Sequence, residues 1–293
     1  MPKGQLAGRN ARIRSTAPGT GPNLLEVARV GGPRQFVTEG VTNRVERSAV
    51  GVAGARGGRH LTRTGTLGGM AASTTGRTRW VCLDVGETLI DETRVWSLWA
   101  DELGVPRLTF LAALGAVIER DGEHRDVFPM FGADDWPTRL ASVEANYGGF
   151  RPDDLYPDAL DALAALKEAG YRLAVVANQP AIRGEQLRAI GVDTQVMAMS
   201  EGLGVAKPDA AFYATALELM GSPDPASVAY VGDRVDNDVL PSAEAGMRSV
   251  WLRRGPWGVI QHLPDGTRPA LVVGSLAELA ERVDEAWPEG PAR

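Results

Sequence analysis

From Arg79 onward the chain repeats one arrangement: a short apolar run, a polar break, then a stretch whose apolar residues recur at helical spacing. The runs fall at residues 80–85, 172–177, 195–199, 227–231, 249–252 and 270–273, each four to six residues long. Runs this short, apolar without strict alternation, are the signature of strands buried on both faces, as parallel sheets require. The helical stretches fall at 157–169, 181–190, 208–220, 238–245 and 276–286. Gly170, Gly191, Gly221 and Gly246 stand just past four of them, where a helix ends most easily in the left-handed region. Strand and helix alternating in this way predict an α/β fold, a doubly wound parallel sheet.

One interval breaks the alternation. Residues 91–156 separate the first run from the second and carry three helical patterns, at 94–103, 110–120 and 137–147, with Trp96, Trp99, Phe128, Phe131 and Trp136 among them. The interval is too long for a simple crossover and too apolar for a free loop. An inserted helical cap subdomain is expected there, over the strand ends where open α/β sheets bind ligands. The core is then residues 79–90 and 157–293.

The first 69 residues are a different material. They carry 11 Lys and Arg against 3 Asp and Glu, whereas residues 70–293 carry 20 against 34. Rich in Gly, Arg, Thr and Pro, the segment shows no sustained period, so a packed core is not expected. A nucleic-acid-binding arm and a targeting peptide are alternative readings. The former lacks aromatics and a focused basic face, the latter an apolar region with a cleavage site. A disordered or non-physiological extension is the expectation, with Met70 as the working start.

Several function classes are excluded by elementary counts. The longest apolar stretch, near residues 110–118, is about half of the roughly 20 residues a membrane-spanning helix needs. Cys82 is the single cysteine and there are three histidines, so no internal disulfide and no Cys-rich zinc site can form; a reducing, cytoplasmic setting is the default. The acidic balance of residues 70–293 disfavours nucleic acid, for which Arg248, Arg253 and Arg254 offer only a short basic cluster.

Chemistry concentrates at the strand ends. Asp84-Val85-Gly86-Glu87-Thr88 follows the first run, Ala177-Asn178 closes the second, Lys207-Pro208 opens a helix, and Gly232-Asp233 with Asp238 follows the fourth. An Asp at a strand end can act as a nucleophile if a cation offsets its charge. Three neighbouring carboxylates, Asp84, Asp233 and Asp238, repel unless a cation sits among them, and the hard oxygen ligands suit Mg²⁺. Lys207 supplies a fixed positive charge of the kind phosphoryl transfer demands.

These motifs, in this order, resemble the haloacid dehalogenase-like hydrolase superfamily over nearly all of residues 79–255. The family's nucleophile motif is matched by Asp84 and Thr88, its lysine by Lys207, and its acidic motif by Gly232, Asp233 and Asp238. The resemblance implies a Rossmann-like core, a helical cap after the first motif, an aspartyl-enzyme intermediate and usually Mg²⁺. It also implies that the backbone carbonyl of Gly86 is a metal ligand, that Thr88 supports the loop, and that Asn178 stands at the substrate.

Two positions depart from the family pattern. Gly86 stands where family phosphatases place an acid/base Asp, and Ala177 where they place a hydroxyl that binds the phosphoryl group. Glu87, next to Gly86 and one methylene longer than Asp, is expected to take over proton transfer. The expected activity is Mg²⁺-dependent hydrolysis of a small phosphate monoester, with no nucleic-acid or membrane partner and an unassigned oligomeric state. A 2-haloacid dehalogenase and a weakly catalytic phospho-ligand binder are the alternatives. A phosphonatase is disfavoured, because residues 91–156 contain no lysine to form a Schiff base.

Overall fold

A computed structural model describes residues 78–288. The expectations for residues 1–69 lie outside the described residues. Six strands, β1 (Trp80–Leu83), β2 (Arg172–Ala177), β3 (Val196–Met199), β4 (Val228–Gly232), β5 (Arg248–Leu252) and β6 (Leu271–Val273), form one sheet in the order β3-β2-β1-β4-β5-β6. Every pairing is parallel, with Leu83 opposite Val175 on one side and Val231 on the other. All six apolar runs of the sequence are therefore strands.

Successive side chains on a strand face opposite ways, and β1 shows what that does to the core. Val81 and Leu83 join Val175, Val231, Leu163, Leu166, Leu187, Leu276 and Leu279 in one apolar cluster. Trp80 and Cys82 join Val176, Phe212, Tyr213, Tyr230 and Met247 in another. Helices α4 (Ala159–Glu168), α5 (Arg183–Ala189) and α10 (Leu276–Arg282) thus contribute to the first face, and α7 (Ala210–Leu219) to the second. With both faces covered, β1 is wholly buried, which explains its lack of polar alternation.

Between β1 and β2 lie α1 (Thr93–Glu102), α2 (Arg107–Ile118) and α3 (Trp136–Tyr147). Their aromatic residues pack on one another: Trp99 and Phe128 have ring centroids 4.6 Å apart, Phe128 and Trp136 5.1 Å. The cluster also takes Trp257 and Ile260 from α9 (Gly255–Ile260), a short helix after β5 that the sequence pattern did not reveal. Arg94 on α1 ties the two ends of the insert to each other by donating to both Asp154 oxygens and to the carbonyls of Tyr147 and Gly149. Arg183 of α5, 4% exposed, pairs with Glu144 of α3 at 2.5 Å.

Two further short α-helices are α6 (Ser200–Leu203) and α8 (Leu240–Glu244). The helix expected over residues 238–245 begins instead as a single wide turn at Val235–Val239, and α8 follows it. Such wide turns are rare and frequently stand at functional sites. Here the Asp238 carboxylate folds back to accept the Arg234 backbone N–H at 2.9 Å.

Candidate active site

In open parallel sheets the crevice forms where strand order reverses, at the carboxyl ends of the strands. Here β1 has β2 on one side and β4 on the other; the loops leaving β1 and β4 carry Asp84 and the pair Asp233 and Asp238, the loop leaving β2 carries Asn178, and Lys207 lies past β3 and α6. Asp84 is the first residue past β1, its N–H donating to Val231 O at 2.9 Å. The chain then turns sharply: the N–H groups of Thr88, Leu89 and Ile90 all point to Val85 O, and Glu87 sits in the left-handed region at φ 52°.

Lys207 joins the loops together. Its Nζ lies 2.7 Å from Asp84 Oδ1 and 2.6 Å from Asp238 Oδ1, and all three residues are buried. Burial works against the ammonium, but Asp238 and Asp84 outweigh it and hold its pKa above the ordinary lysine value. Asn178, at the end of β2, grips the backbone of Lys207 from both sides, with Oδ1 accepting from its N–H at 2.8 Å and Nδ2 donating to its carbonyl at 2.9 Å. One Nδ2 hydrogen and one Oδ1 lone pair of Asn178 are taken by this clamp, so its observed role is to position Lys207.

Asp84, Asp233 and Asp238 offer carboxylate oxygens that all lie within 4.8 Å of one another. Asp238 is set against Gly232 so closely that a Cβ there would fall 2.3 Å from its Cγ, which is why glycine precedes Asp233. Burial, followed by the charge of Asp238 and then Asp84, raises the Asp233 pKa well above the usual carboxylate range. Asp238 is pushed up to about 6, burial again leading, with Lys207 opposing. Asp233 Oδ2 is buried without a hydrogen-bond partner. A buried, oxygen-only donor set with an orphaned carboxylate oxygen fits a hard divalent cation.

Thr88 is buried at 0% exposure and its hydroxyl has no hydrogen-bond partner, so its placement rests on the backbone: its carbonyl accepts from Arg254 at 3.2 Å. Glu87 requires a correction. Its two carboxylate oxygens are taken by the Glu92 N–H at 3.1 Å and the Tyr156 hydroxyl at 2.5 Å, and the side chain is 4% exposed. It fastens the loop to the start of α1 and is not the free acid that proton transfer needs. Burial, the largest influence, raises its pKa.

Glu92, at the N-terminal boundary of α1, was missed by the sequence reading. Its Oε2 accepts from Trp96 Nε1 at 3.2 Å. Its Oε1 lies against Gly86, at 2.5 Å from where a Cβ on that residue would stand. Burial, then the charges of Glu87 and Asp84, pushes its carboxyl up to about 8, although the residue keeps some solvent access. The only sequence signal was indirect: a glycine two residues after Asp84 leaves room for another side chain, without saying whose.

Cys82 is buried on β1 and its thiol is pushed up to about 12, mainly by burial, which leaves it unreactive. Among the described residues no helix is long and apolar enough to cross a membrane.

Known proteins share this plan. The chain is 31% identical over 159 residues to a glyceraldehyde 3-phosphate phosphatase from Methanopyrus kandleri, a match covering 53% of this chain and 68% of that one. It is 30% identical over 193 residues to a phosphoserine phosphatase from Thermus thermophilus, covering 65% and 74%. A HAD-hydrolase from Bacillus subtilis, solved bound to magnesium, superposes with a TM-score of 0.55 at 18% identity over 71% of this chain and 100% of its own. The family model for haloacid dehalogenase-like hydrolases matches residues 78–246, a span that takes in the Asp84 loop, Lys207 and both Asp233 and Asp238. With sheet order, loop chemistry and sequence in agreement, the chain belongs to the haloacid dehalogenase-like hydrolases.

Proposed function

We propose that this hydrolase is a phosphatase of small phosphate monoesters, with Asp84 as its nucleophile. The observation that carries the reading is the trio Asp84, Asp233 and Asp238 with its orphaned Asp233 oxygen. A dehalogenase attacks carbon and expels halide without a metal, so it does not need three carboxylates gathered to hold an ion. The two relatives named as phosphatases of small phosphorylated compounds support the same choice.

The carboxylates of Asp84, Asp233 and Asp238, with the backbone carbonyl of Gly86, are the groups that would hold Mg²⁺. When bound, the ion neutralises charge on the phosphoryl oxygens and so lets an anionic nucleophile approach an anionic substrate. The chain's own residues do the rest. Asp84 attacks phosphorus in line with the leaving group, and Lys207, held by Asn178, places its ammonium beside the attacking carboxylate. Residues 91–156 act as the cap that reads the rest of the substrate and limits water at the strand ends. The single buried Cys82 is compatible with the reducing cytoplasm, which is the location proposed.

The test is hydrolysis of 4-nitrophenyl phosphate with and without Mg²⁺, by the wild type and by Asp84→Asn. Mg²⁺-dependent release of nitrophenol that disappears in the variant is expected. Chloride release from a 2-haloacid in the presence of a chelator would point to the dehalogenase instead. Ala177, which offers no hydroxyl to a phosphoryl group, favours a second reading as a binder of phosphorylated ligands. Absence of turnover together with a Mg²⁺-dependent rise in melting temperature on adding a phosphorylated metabolite would establish that reading.

A further inference from the structure

Hydrolysis of a phosphate ester leaves an alkoxide or phenoxide that must be protonated, and a water molecule must later be deprotonated. A positioned acid/base is typically worth about 10²- to 10⁴-fold in each direction. The residue for this task must reach the mouth of the Asp84 loop without being consumed by a structural hydrogen bond or an ion pair. Asp84 and Asp238 are engaged with Lys207, Asp233 belongs to the acidic trio, and Glu87 is bonded through both oxygens.

Glu92 meets the requirement. Its Oε1 fills the space directly over Gly86, two residues past Asp84, and among the described residues that oxygen has neither a hydrogen-bond partner nor an ion pair. The other oxygen is fixed by the Trp96 indole, whose ring is itself held in the aromatic cluster of the insert. A carboxyl is thus delivered from the N-terminal boundary of α1 to the place that a side chain on residue 86 would occupy. Gly86 has an ordinary backbone conformation, so its lack of a side chain serves this approach and not a special turn.

We propose that Glu92 is the acid/base residue of this enzyme, replacing from the insert a side chain that position 86 lacks. The inference rests on the phosphatase reading above. In the first half-reaction an Asp84 oxygen forms a bond to phosphorus, and the bond from phosphorus to the leaving oxygen breaks with its electron pair on that oxygen. Glu92 gives its proton to that oxygen, producing the free alcohol and a Glu92 carboxylate. In the second, water attacks the phosphorus of the aspartyl phosphate and passes a proton to Glu92. The bond between phosphorus and the Asp84 oxygen breaks, its pair returning to the Asp84 carboxylate, and inorganic phosphate leaves.

The experiment compares 4-nitrophenyl phosphate, whose leaving group needs little protonation, with phenyl phosphate, whose leaving group needs more. Glu92→Gln keeps the acceptor for Trp96 and removes the transferable proton. Turnover of phenyl phosphate is expected to fall by about 10²-fold or more and that of 4-nitrophenyl phosphate by less than about tenfold. Equal losses on the two substrates overturn the assignment. The double variant Gly86→Asp with Glu92→Ala moves the carboxyl back to residue 86, into the volume that Glu92 vacates. Recovery of phenyl phosphate turnover supports the proposal, including when Glu92→Gln fails to fold. Retained 4-nitrophenyl phosphate turnover without that recovery overturns it. Failure of the wild type itself on both substrates, with Mg²⁺ present, removes the phosphatase reading and the proposal with it, and is distinguished from the other outcomes by involving no variant.

Discussion

Asn178 and Lys207 are joined by two hydrogen bonds, one to the backbone N–H and one to the backbone carbonyl of the lysine. The clamp spans the ends of β2 and the loop before α7, and it fixes where the Lys207 side chain starts. Asn178→Ala leaves both backbone groups without these partners, at a cost of about 1–3 kcal/mol if they stay buried. The variant is expected to melt lower and to lose kcat more than KM, since the ammonium loses its aim while the substrate pocket is untouched. Steady-state kinetics beside a thermal melt checks this; an unchanged kcat would show that Lys207 holds its position unaided.

Asp233 is a carboxyl buried with two others and with one oxygen unpartnered. In metal-free protein it must either carry its charge against these neighbours or take up a proton, and an amide avoids both costs, so Asp233→Asn is expected to melt at a higher temperature than wild type in the presence of a chelator. The same variant is expected to lose the rise in melting temperature that Mg²⁺ gives the wild type. Calorimetry with and without Mg²⁺ measures both. A lower melting temperature in chelator would mean that Asp233 has a structural partner.

His124 lies beside Trp96, ring centroids 5.7 Å apart, and its side chain is 33% exposed. Burial first, then the charges of Arg234 and Arg125, lowers its pKa below the ordinary 6.5. The unfolded chain therefore binds this proton more readily than the folded one. The stabilisation from keeping His124 neutral is fully present above pH 6.5 and is lost as pH falls below it towards the depressed folded value. His124→Gln is expected to flatten this part of the stability curve, read as melting temperature against pH from 7.5 to about 5. Parallel curves for variant and wild type would exclude the effect.

Trp257 belongs to α9 but packs among the aromatic residues of the insert, 6.4 Å from Trp96 between centroids. Trp257→Ala is expected to cost about 3–5 kcal/mol, the range for deleting a buried aromatic ring. Because the ring is shared, limited proteolysis of the variant is expected to cut within residues 91–156 before the sheet. Cleavage at the same sites and rates as wild type would show that the insert stands without it.

Much of this arrangement was legible in the sequence, and the reasons are physical. β1 could be read because a strand buried on both faces has no choice but continuous apolar residues. Asp84 and Asp233 could be read because a parallel sheet brings all its strand ends to one edge, so residues just past the strands must be neighbours; Asp238 and Lys207 lie further on, Lys207 beyond α6, and were read from their motif spacing. Glu92 could not, because its approach to Gly86 depends on how the insert leaves the loop, which no periodicity records. Glu87 was misjudged for the same reason: adjacency in sequence suggested a replacement, but the left-handed turn at that residue sends its side chain to Tyr156. Nor could α9 be seen, since Gly255-Pro256 reads as a break and the helix is six residues long, its apolar side chains serving a cluster far away in sequence.

The contact between Glu92 and Gly86 also constrains which changes this sequence can accept. One small volume is approached from both ends of the seven-residue segment 86–92, and it holds one carboxyl. With Glu92 in its present conformation a side chain at residue 86 meets its carboxyl, so adding one requires the Glu92 side chain to swing away or to be shortened. Shortening residue 92 first removes that cost, so the order in which the two positions change matters as well as their final identities.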